Sequence, residues 1–525
     1  MKFMNIIPKP LKASAMGGTV FFSSGTKISG DFPLTAEYAA KVLSAKPEAP
    51  ENTIIFTKDD SIQKEGYTVS CNEGNISVKA SDESGAFYAF MTLCQLAGKE
   101  NYFEAVSVED APKYGHRGFM LDSARHFWTV DKVKQILDVM ASLKMNIFHW
   151  HLTDDQGWRV EIKKYPLLTE KGCIRDSTPL SLKGYVRKKE ERDYTEYGRG
   201  LFYTQDDVRE IVAYAAERHI NVIPEIDMPG HLVAAIACYP ELSCTGEEAQ
   251  VSNRWGIMDN IGCCGKENVY NFAKDVIDEL CELFPYPYFH IGGDEVPKKR
   301  WKKCPACQAK IKELGLKDED ALQGYFNNVI CEYLKSKGRT TVGWNEILDA
   351  SEGLDKNIIP QWWIKRKPGE NLELKWLKNG GKMIISLVDY VYMDHAFAIR
   401  PLKKTYSFSA ATLGITDDTN VIGMEAPQWT EYVRNEKKFD LNTYVRLIAI
   451  AEAAWTAENL KNYDDFESRM ENMRGYFESM GARLAPPEIY HGKTVSPIFG
   501  RAANGWKMWR KDPNFELKLS EKYGF

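Results

Sequence analysis

No apolar run in this 525-residue chain approaches the ~20 residues that a membrane-spanning helix needs, so no membrane span is expected. Positive charge is not in excess either. There are 68 Lys and Arg against 73 Asp and Glu, a formal net charge of −5, which offers no footprint for nucleic acid or an anionic membrane. The opening residues Met1-Lys2-Phe3-Met4-Asn5-Ile6-Ile7-Pro8 lack a continuous apolar h-region and a small-residue cleavage site. As it stands the chain reads as cytoplasmic, or as periplasmic or secreted if a leader was removed. HExxH and G-x-S-x-G are both absent, which argues against a zinc protease and a serine esterase. CxxC occurs once, at Cys304-Pro305-Ala306-Cys307, with no second copy at zinc-ribbon spacing. Cys244 and the adjacent pair Cys263-Cys264 precede it. Eleven cysteines is an odd number, so at least one has no internal disulfide partner. Plain packing or free thiols is the expected state, with a structural zinc site or local disulfide as the alternative. No cofactor and no metal ligand is assigned.

Hydrophobic residues make up 44% of the chain, ample for a large core. Residues 1–111 read as a small α+β domain. Thr19–Phe22, Thr53–Phe56, Tyr67–Ser70 and Asn75–Ala80 have strand character, the last two as a hairpin. Ser84–Ala97 has helical spacing. Glu109-Asp110-Ala111-Pro112 is the expected linker. From there to residue 480 strands and helices alternate, with eight strand candidates: Gly118–Leu121, Asn146–Leu152, Asn221–Ile226, Tyr288–Ile291, Thr340–Trp344, Ile358–Trp363, Met383–Leu387 and Val421–Met424. Eight such units predict an α/β fold, a (β/α)8 TIM barrel spanning 112–480. A doubly wound sheet is the runner-up, and the lack of a Gly-rich phosphate fingerprint counts against its nucleotide-binding form. No good helix follows the seventh strand. Residues 481–525 are expected to form a tail packed on the barrel.

The most informative stretch is His290-Ile291-Gly292-Gly293-Asp294-Glu295. An apolar run leads into a Gly-Gly kink and two adjacent acids, a costly arrangement because like charges repel and burial disfavours ionisation. Groups with chemical potential recur at every predicted strand end. Asp122 and Arg125 follow the first, Asp154 the second and Asp227 and His231 the third. Trp344 and Glu346 follow the fifth, Trp363 the sixth, Tyr392 and Asp394 the seventh, and Trp429 and Glu431 the eighth. In a barrel these ends share one face, where such enzymes build their sites. Acids between aromatic walls, without a metal motif, suit carbohydrate better than phosphate or peptide.

The segments Ser123–Phe127, Phe148–Trp158, Pro224–His231 and His290–Glu295 closely resemble those of the β-N-acetylhexosaminidases of glycoside hydrolase family 20, and the resemblance extends over nearly the whole chain. It implies an exo-acting, retaining enzyme that removes terminal β-linked GlcNAc or GalNAc from N-acetylhexosamine-containing glycans. Most retaining glycosidases hold two carboxyl groups about 5 Å apart; in this family the substrate's 2-acetamido oxygen is the nucleophile, forming an oxazolinium ion. By the same resemblance Glu295 is the acid/base, Asp294 orients and stabilises the acetamido group, and Tyr392 donates to its oxygen. Arg125 would bind O3 and O4, Glu431 O4 and O6, and Asp394 O6. Trp344, Trp363 and Trp429 would wall the acetamido pocket, and Asp154 with His231 would tune Glu295. A structural ion pair with Asp122 is the rival role for Arg125, and a satisfied structural histidine the rival for His231. A disaccharide-releasing or chitobiose-specific pocket with the same chemistry is the alternative, to be decided by loops 163–203 and 228–268. A non-catalytic glycan-binding barrel would be expected to have lost Asp294 or Glu295. Some relatives carry a further tryptophan before the last strand; here 395–428 hold only Phe397, Tyr406 and Phe408, which leaves aglycone preference open. Oligomeric state has no signal in the sequence.

Overall fold

The computed structural model describes residues 5–44, 52–72, 74–98, 100, 102–179, 192–350, 353–367 and 369–492. Residues 5–111 form a six-stranded mixed sheet: β1 (Lys12–Phe21), β2 (Thr26–Gly30), β3 (Asn52–Lys58), β4 (Tyr67–Asn72), β5 (Asn75–Ala80) and β6 (Tyr102–Asp110), in spatial order β1-β6-β4-β5-β3-β2. The expected hairpin is β4–β5, antiparallel with Tyr67 opposite Ala80. Two helices accompany the sheet, α1 (Pro33–Leu43) and α2 (Glu83–Ala97). Strands β2 and β6 and helix α1 went unread in the sequence. Helix α2 starts at Asp82, whose side chain accepts from the Gly85 N–H. It is buried almost all round, with Phe87, Tyr88, Phe90 and Leu93 fully covered, as suits a helix clamped between two layers. One layer is β4 and β5; the other is the first barrel helix.

The barrel has eight parallel strands: β7 (His116–Asp122), β8 (Ile147–Asp154), β9 (Asn221–Ile226), β10 (Tyr288–His290), β11 (Thr340–Trp344), β12 (Ile359–Trp362), β13 (Met383–Ile385) and β14 (Val421–Gln428). They pair in sequence order, and β14 closes on β7 with Gly423 opposite His116. All eight coincide with the predicted strands, β14 running further to Gln428. The helices between them are α3 (Val130–Ser142), α4 (Gln205–Ala216), α5 (Glu267–Leu283), α6 (Glu319–Ser336), α7 (Leu372–Lys378) and, after β14, α8 (Glu436–Trp455). Thr129, Asp318 and Asn435 cap α3, α6 and α8, and Thr204 with Asp207 forms a capping box on α4. After β13 the chain makes only short helical segments, Val388–Val391, Leu402–Tyr406 and Ala410–Leu413. Of the expected tail, Ala482, Leu484, Ala485, Ile489 and Tyr490 are buried; residues 493–525 lie outside the described residues.

The barrel interior is not simply apolar. Period-two alternation on β8 turns His149 and His151 inward while Trp150 packs outward under the helices. His149 Nδ1 lies 2.7 Å from Glu425 and its Nε2 3.1 Å from Glu225. His116 and Gln361 also bond Glu425, at 3.0 and 2.8 Å. Burial works against a charge on His149, but the two carboxylates outweigh it and hold its pKa up at about 9.

Candidate active site

The catalytic-face loops owe their shape to a few strained positions. Beyond β10 the backbone turns through Gly292 at φ 67°. A Cβ there would lie 1.9 Å from Asp227 Oδ1, so only glycine fits. Asp227 uses that same oxygen to accept the Gly293 N–H at 3.0 Å, and the Gly292 N–H donates to His290 Nδ1 at 3.1 Å. Three residues after Gly292, Glu295 sits at φ 49°, and on the facing loop His231 sits at φ 45°. Left-handed backbone at non-glycine residues costs about 1–3 kcal/mol each and clusters at functional sites.

The open end of the barrel holds a cavity of about 200 Å³ lined by Arg125, Asp154, His231, Asp294, Glu295, Trp363, Val388, Tyr392, Asp394, His395, Trp429 and Glu431. Ten of the eleven residues to which the family resemblance gives a role therefore meet at one cavity. Trp344 does not border it. It is fully buried below, its indole N–H donating to Glu225 at 2.8 Å and its ring 5.8 Å from Trp429. β11 turns its side chain inward, where it backs Trp429, a residue that does line the cavity. Trp363 stacks on Tyr392 with ring centres 5.9 Å apart at 20°, and its N–H donates to Glu346 at 2.7 Å.

Asp294 and Glu295 differ in setting. Asp294's side chain is 11% exposed and Glu295's 33%, so Glu295 faces the mouth and Asp294 the interior. Burial, with Asp227 adding to it, pushes the Asp294 carboxyl well above its usual range. Among the described residues, the buried oxygens Asp294 Oδ1 and Asp394 Oδ1 accept no hydrogen bond; unmatched buried acceptors in a cavity wall mark a place for ligand donors. His231 connects the groups. Its Nε2 lies 3.5 Å from Glu295 and 4.0 Å from Asp294, and its Nδ1 3.1 Å from Asp155 and 3.3 Å from Asp154. Burial disfavours its charge, but Asp154 and the other acids raise its pKa well above normal. Arg125 contacts both Asp154, at 2.6 Å, and Asp122, at 3.2 Å. The rival ion pair is thus real, yet the guanidinium still borders the cavity and lies over the Trp429 face at 5.1 Å. Burial lifts Glu431 to about 7 and Asp394 to about 6.

Sequence reasoning missed Asp155 and His395, and it noted Glu346 at a strand end without giving it a role; burial and Asp294 push this half-buried carboxyl to about 8. Asp155 carried a signal, standing beside Asp154 in a motif already noted; His395 had none, since nothing in its neighbours marks a rim position. Loops 163–203 and 228–268 meet where Asn253 donates to Asp176, and Gln156, beside Asp155, donates to the Arg254 carbonyl of the second loop. Of the first loop, residues 180–191 lie outside the described residues. The cysteines are free thiols, as expected, but four of them meet. Cys244, Cys263, Cys304 and Cys307 converge rather than packing separately.

A closed parallel barrel whose catalytic face gathers carboxylates, an arginine and indoles around a cavity suits a glycoside hydrolase, and the comparisons with known proteins place the chain in that class. The profile "Glycosyl hydrolase family 20, catalytic domain" matches residues 114–458, and "Glycosyl hydrolase family 20, domain 2" matches residues 4–111. The chain belongs to glycosyl hydrolase family 20. It is 36% identical over 512 residues to a β-hexosaminidase of Porphyromonas gingivalis, covering 90% of this chain and 63% of that protein. A β-hexosaminidase of Vibrio furnissii is 32% identical, over 85% of this chain and 76% of its own length. Among solved structures, the β-N-acetylhexosaminidase of Bacteroides fragilis superposes with a TM-score of 0.81 at 31% identity, over 94% of this chain and 99% of that one. An exo-β-N-acetylglucosaminidase of Vibrio harveyi in complex with N-acetylglucosamine gives 0.78 at 29%, over 92% and 79%. The chain thus spans a little under two thirds of the Porphyromonas relative.

Proposed function

We propose that this protein hydrolyses terminal, non-reducing β-linked N-acetylhexosamine from glycans, with retention, through attack of the substrate's own acetamido oxygen on the anomeric carbon. The observation that carries the reading is Asp294 Oδ1, a buried acceptor without a protein partner beside the more exposed Glu295. An acetamido N–H supplies the missing donor and returns the charge to Asp294. The carboxylate then orients the amide and offsets the positive charge of the oxazolinium ring. Tyr392, stacked on Trp363, donates to the acetamido oxygen. An attacking group held in place gains an effective molarity of up to ~10⁵–10⁸ M. Glu295 protonates the leaving oxygen and then deprotonates water, its carboxyl oriented by His231 and, behind it, Asp154 and Asp155. Arg125, Glu431 and Asp394 take the ring hydroxyls, and Trp429 backs the ring. A cavity of about 200 Å³ supports release of one sugar rather than a disaccharide, and the relatives' names agree with a β-hexosaminidase.

The test follows the first-formed product by NMR. Two inversions give the β-anomer, and a stable thiazoline mimic of the cyclised intermediate should inhibit far more strongly than the free sugar. Initial release of the α-anomer would mean one-step attack by water and would remove the roles given to Asp294 and Tyr392.

A further inference from the structure

Away from the sugar cavity, five cysteines are brought together by two segments distant in sequence, and four of them point at one another. The Sγ atoms of Cys244, Cys263, Cys304 and Cys307 all lie within 4.8 Å of each other. Individual separations are 3.5 Å for Cys263–Cys307, 3.7 Å for Cys263–Cys304 and 4.0 Å for Cys244–Cys307. A disulfide needs about 2.0 Å, and all four are free thiols. A tetrahedral zinc ion with Zn–S bonds of about 2.3 Å sets its sulfurs roughly 3.8 Å apart, the spacing seen here. The fifth cysteine, Cys264, is also buried, but its sulfur lies outside the group. Simple hydrophobic packing gives no reason for that selection.

The surrounding backbone is shaped for the cluster. Cys304 is the N-cap of the helix Pro305–Glu313 and Cys307 lies in its first turn, where backbone N–H groups favour thiolate. Opposite, an antiparallel bridge between Ser243 and Gly262 sets Cys244 beside Cys263. Trp301 closes the junction by donating to the Gly262 carbonyl at 3.0 Å. Gly265 lets the two segments touch, since a Cβ there would lie 2.2 Å from the Cys307 backbone N. Lys266 donates to the Ser243 carbonyl at 2.6 Å, and Lys302 and Lys303 immediately precede Cys304, cations suited to the net negative charge of four thiolates around a divalent ion.

We propose that Cys244, Cys263, Cys304 and Cys307 bind one structural zinc ion, which ties the loop after β9 to the loop after β10. The first of these loops carries His231 and the second carries Glu295, nine residues before Cys304. With four protein ligands the ion has no open position, so its role is to hold the two loops in register and not to react. The chemistry is independent of which glycan the cavity takes.

The full-length protein, purified under reducing conditions without chelator, is analysed for metals by inductively coupled plasma mass spectrometry. About one zinc per chain is expected, falling at least tenfold in Cys263→Ser and in Cys304→Ser and unchanged in Cys264→Ser. Replacing the metal with Co(II) should give the thiolate charge-transfer and d–d bands of a tetrahedral sulfur site, and stripping it should lower Tm by several degrees. Folded, active wild-type protein that contains no zinc would overturn the proposal, whether its four thiols are freely alkylated or paired as disulfides. Iron in place of zinc would overturn it too, as would loss of zinc in Cys264→Ser equal to that in Cys263→Ser. Because the wild-type measurement decides by itself, a variant that fails to fold does not leave the matter open.

Discussion

Glu295 and Asp294 are neighbours in the chain but not in environment, and that difference separates their jobs. Glu295 is the more exposed and touches only His231 among the groups described above; Asp294 is deeper and lacks a donor for one oxygen. Glu295→Gln should cut turnover by about 10²–10⁴ on a glycan whose leaving group needs a proton, and by much less on an aryl glycoside that departs unaided. Steady-state kinetics on both substrates checks this, and equal losses would contradict the acid role. Asp294→Asn should weaken a thiazoline inhibitor as well as turnover, since it removes the charge that faces the cyclised ring. Competition assays that found its affinity unchanged would take that role away from Asp294. The residues for these tests were legible in the sequence because acids beside glycines at a strand end are chemically expensive. Asp155 was not, and Glu346 was legible only as a strand-end acid without a role, because their importance rests on the groups they meet and those lie far away in the chain.

At the scale of elements, the turn after β10 and the polar interior of the barrel each make a prediction. Gly292→Ala asks for a side chain at φ 67° and 1.9 Å from Asp227. It should lose more than about 1 kcal/mol of stability and displace the Asp294–Glu295 loop. Denaturant melts together with kcat would show both effects; a variant with wild-type kcat would mean that the loop tolerates movement. His149 gives a pH dependence with a definite sign. Its pKa is raised from 6.5 to about 9 in the fold, so the folded chain keeps a proton that the unfolded chain releases. That stabilisation is complete below about pH 6.5 and is lost as pH rises through 9, by up to about 3 kcal/mol. Replacing His149 with Gln should flatten the fall in Tm between pH 7 and 9.5, read by calorimetry across that range; an unchanged slope would place the proton elsewhere. The strands themselves were readable from their apolar runs. The interior histidines were not, since a histidine in a strand pattern reads the same whether it faces a carboxylate or a helix.

For the molecule as a whole, the small domain and the barrel share one buried ionic junction. Lys144, just before β8, and Asp110, at the end of β6, form an ion pair at 2.9 Å with neither side chain exposed. Tyr67 bonds both residues, and the Trp455 N–H of α8 donates to Asp110. Nearby Arg117 of β7 pairs with Glu65 at 2.8 Å. Lys144→Met leaves the Asp110 charge buried and unpaired, and should cost about 3–5 kcal/mol. The double change Lys144→Met with Asp110→Leu should recover most of that, because it removes the charge that was stranded. Thermal unfolding of the two variants tests this, and a double variant no more stable than the single would count against the junction. In the folded fraction kcat should change little, since the junction lies at the opposite end of the strands from the sugar cavity.

The eightfold alternation, the site acids and the family were determined by the sequence itself, because apolar periodicity, Gly-Gly kinks and runs such as His290–Glu295 are local properties of a chain. Only the tertiary structure decided which groups share a charge, which rings reach the cavity and which cysteines meet. Trp344 and Trp363 look alike as letters, yet β11 buries one beneath the wall and the turn after β12 presents the other. Cys263 and Cys264 are adjacent, yet one faces three other sulfurs and its neighbour turns away. Such outcomes depend on side-chain direction and on contacts between segments tens to hundreds of residues apart, and no window of sequence contains them.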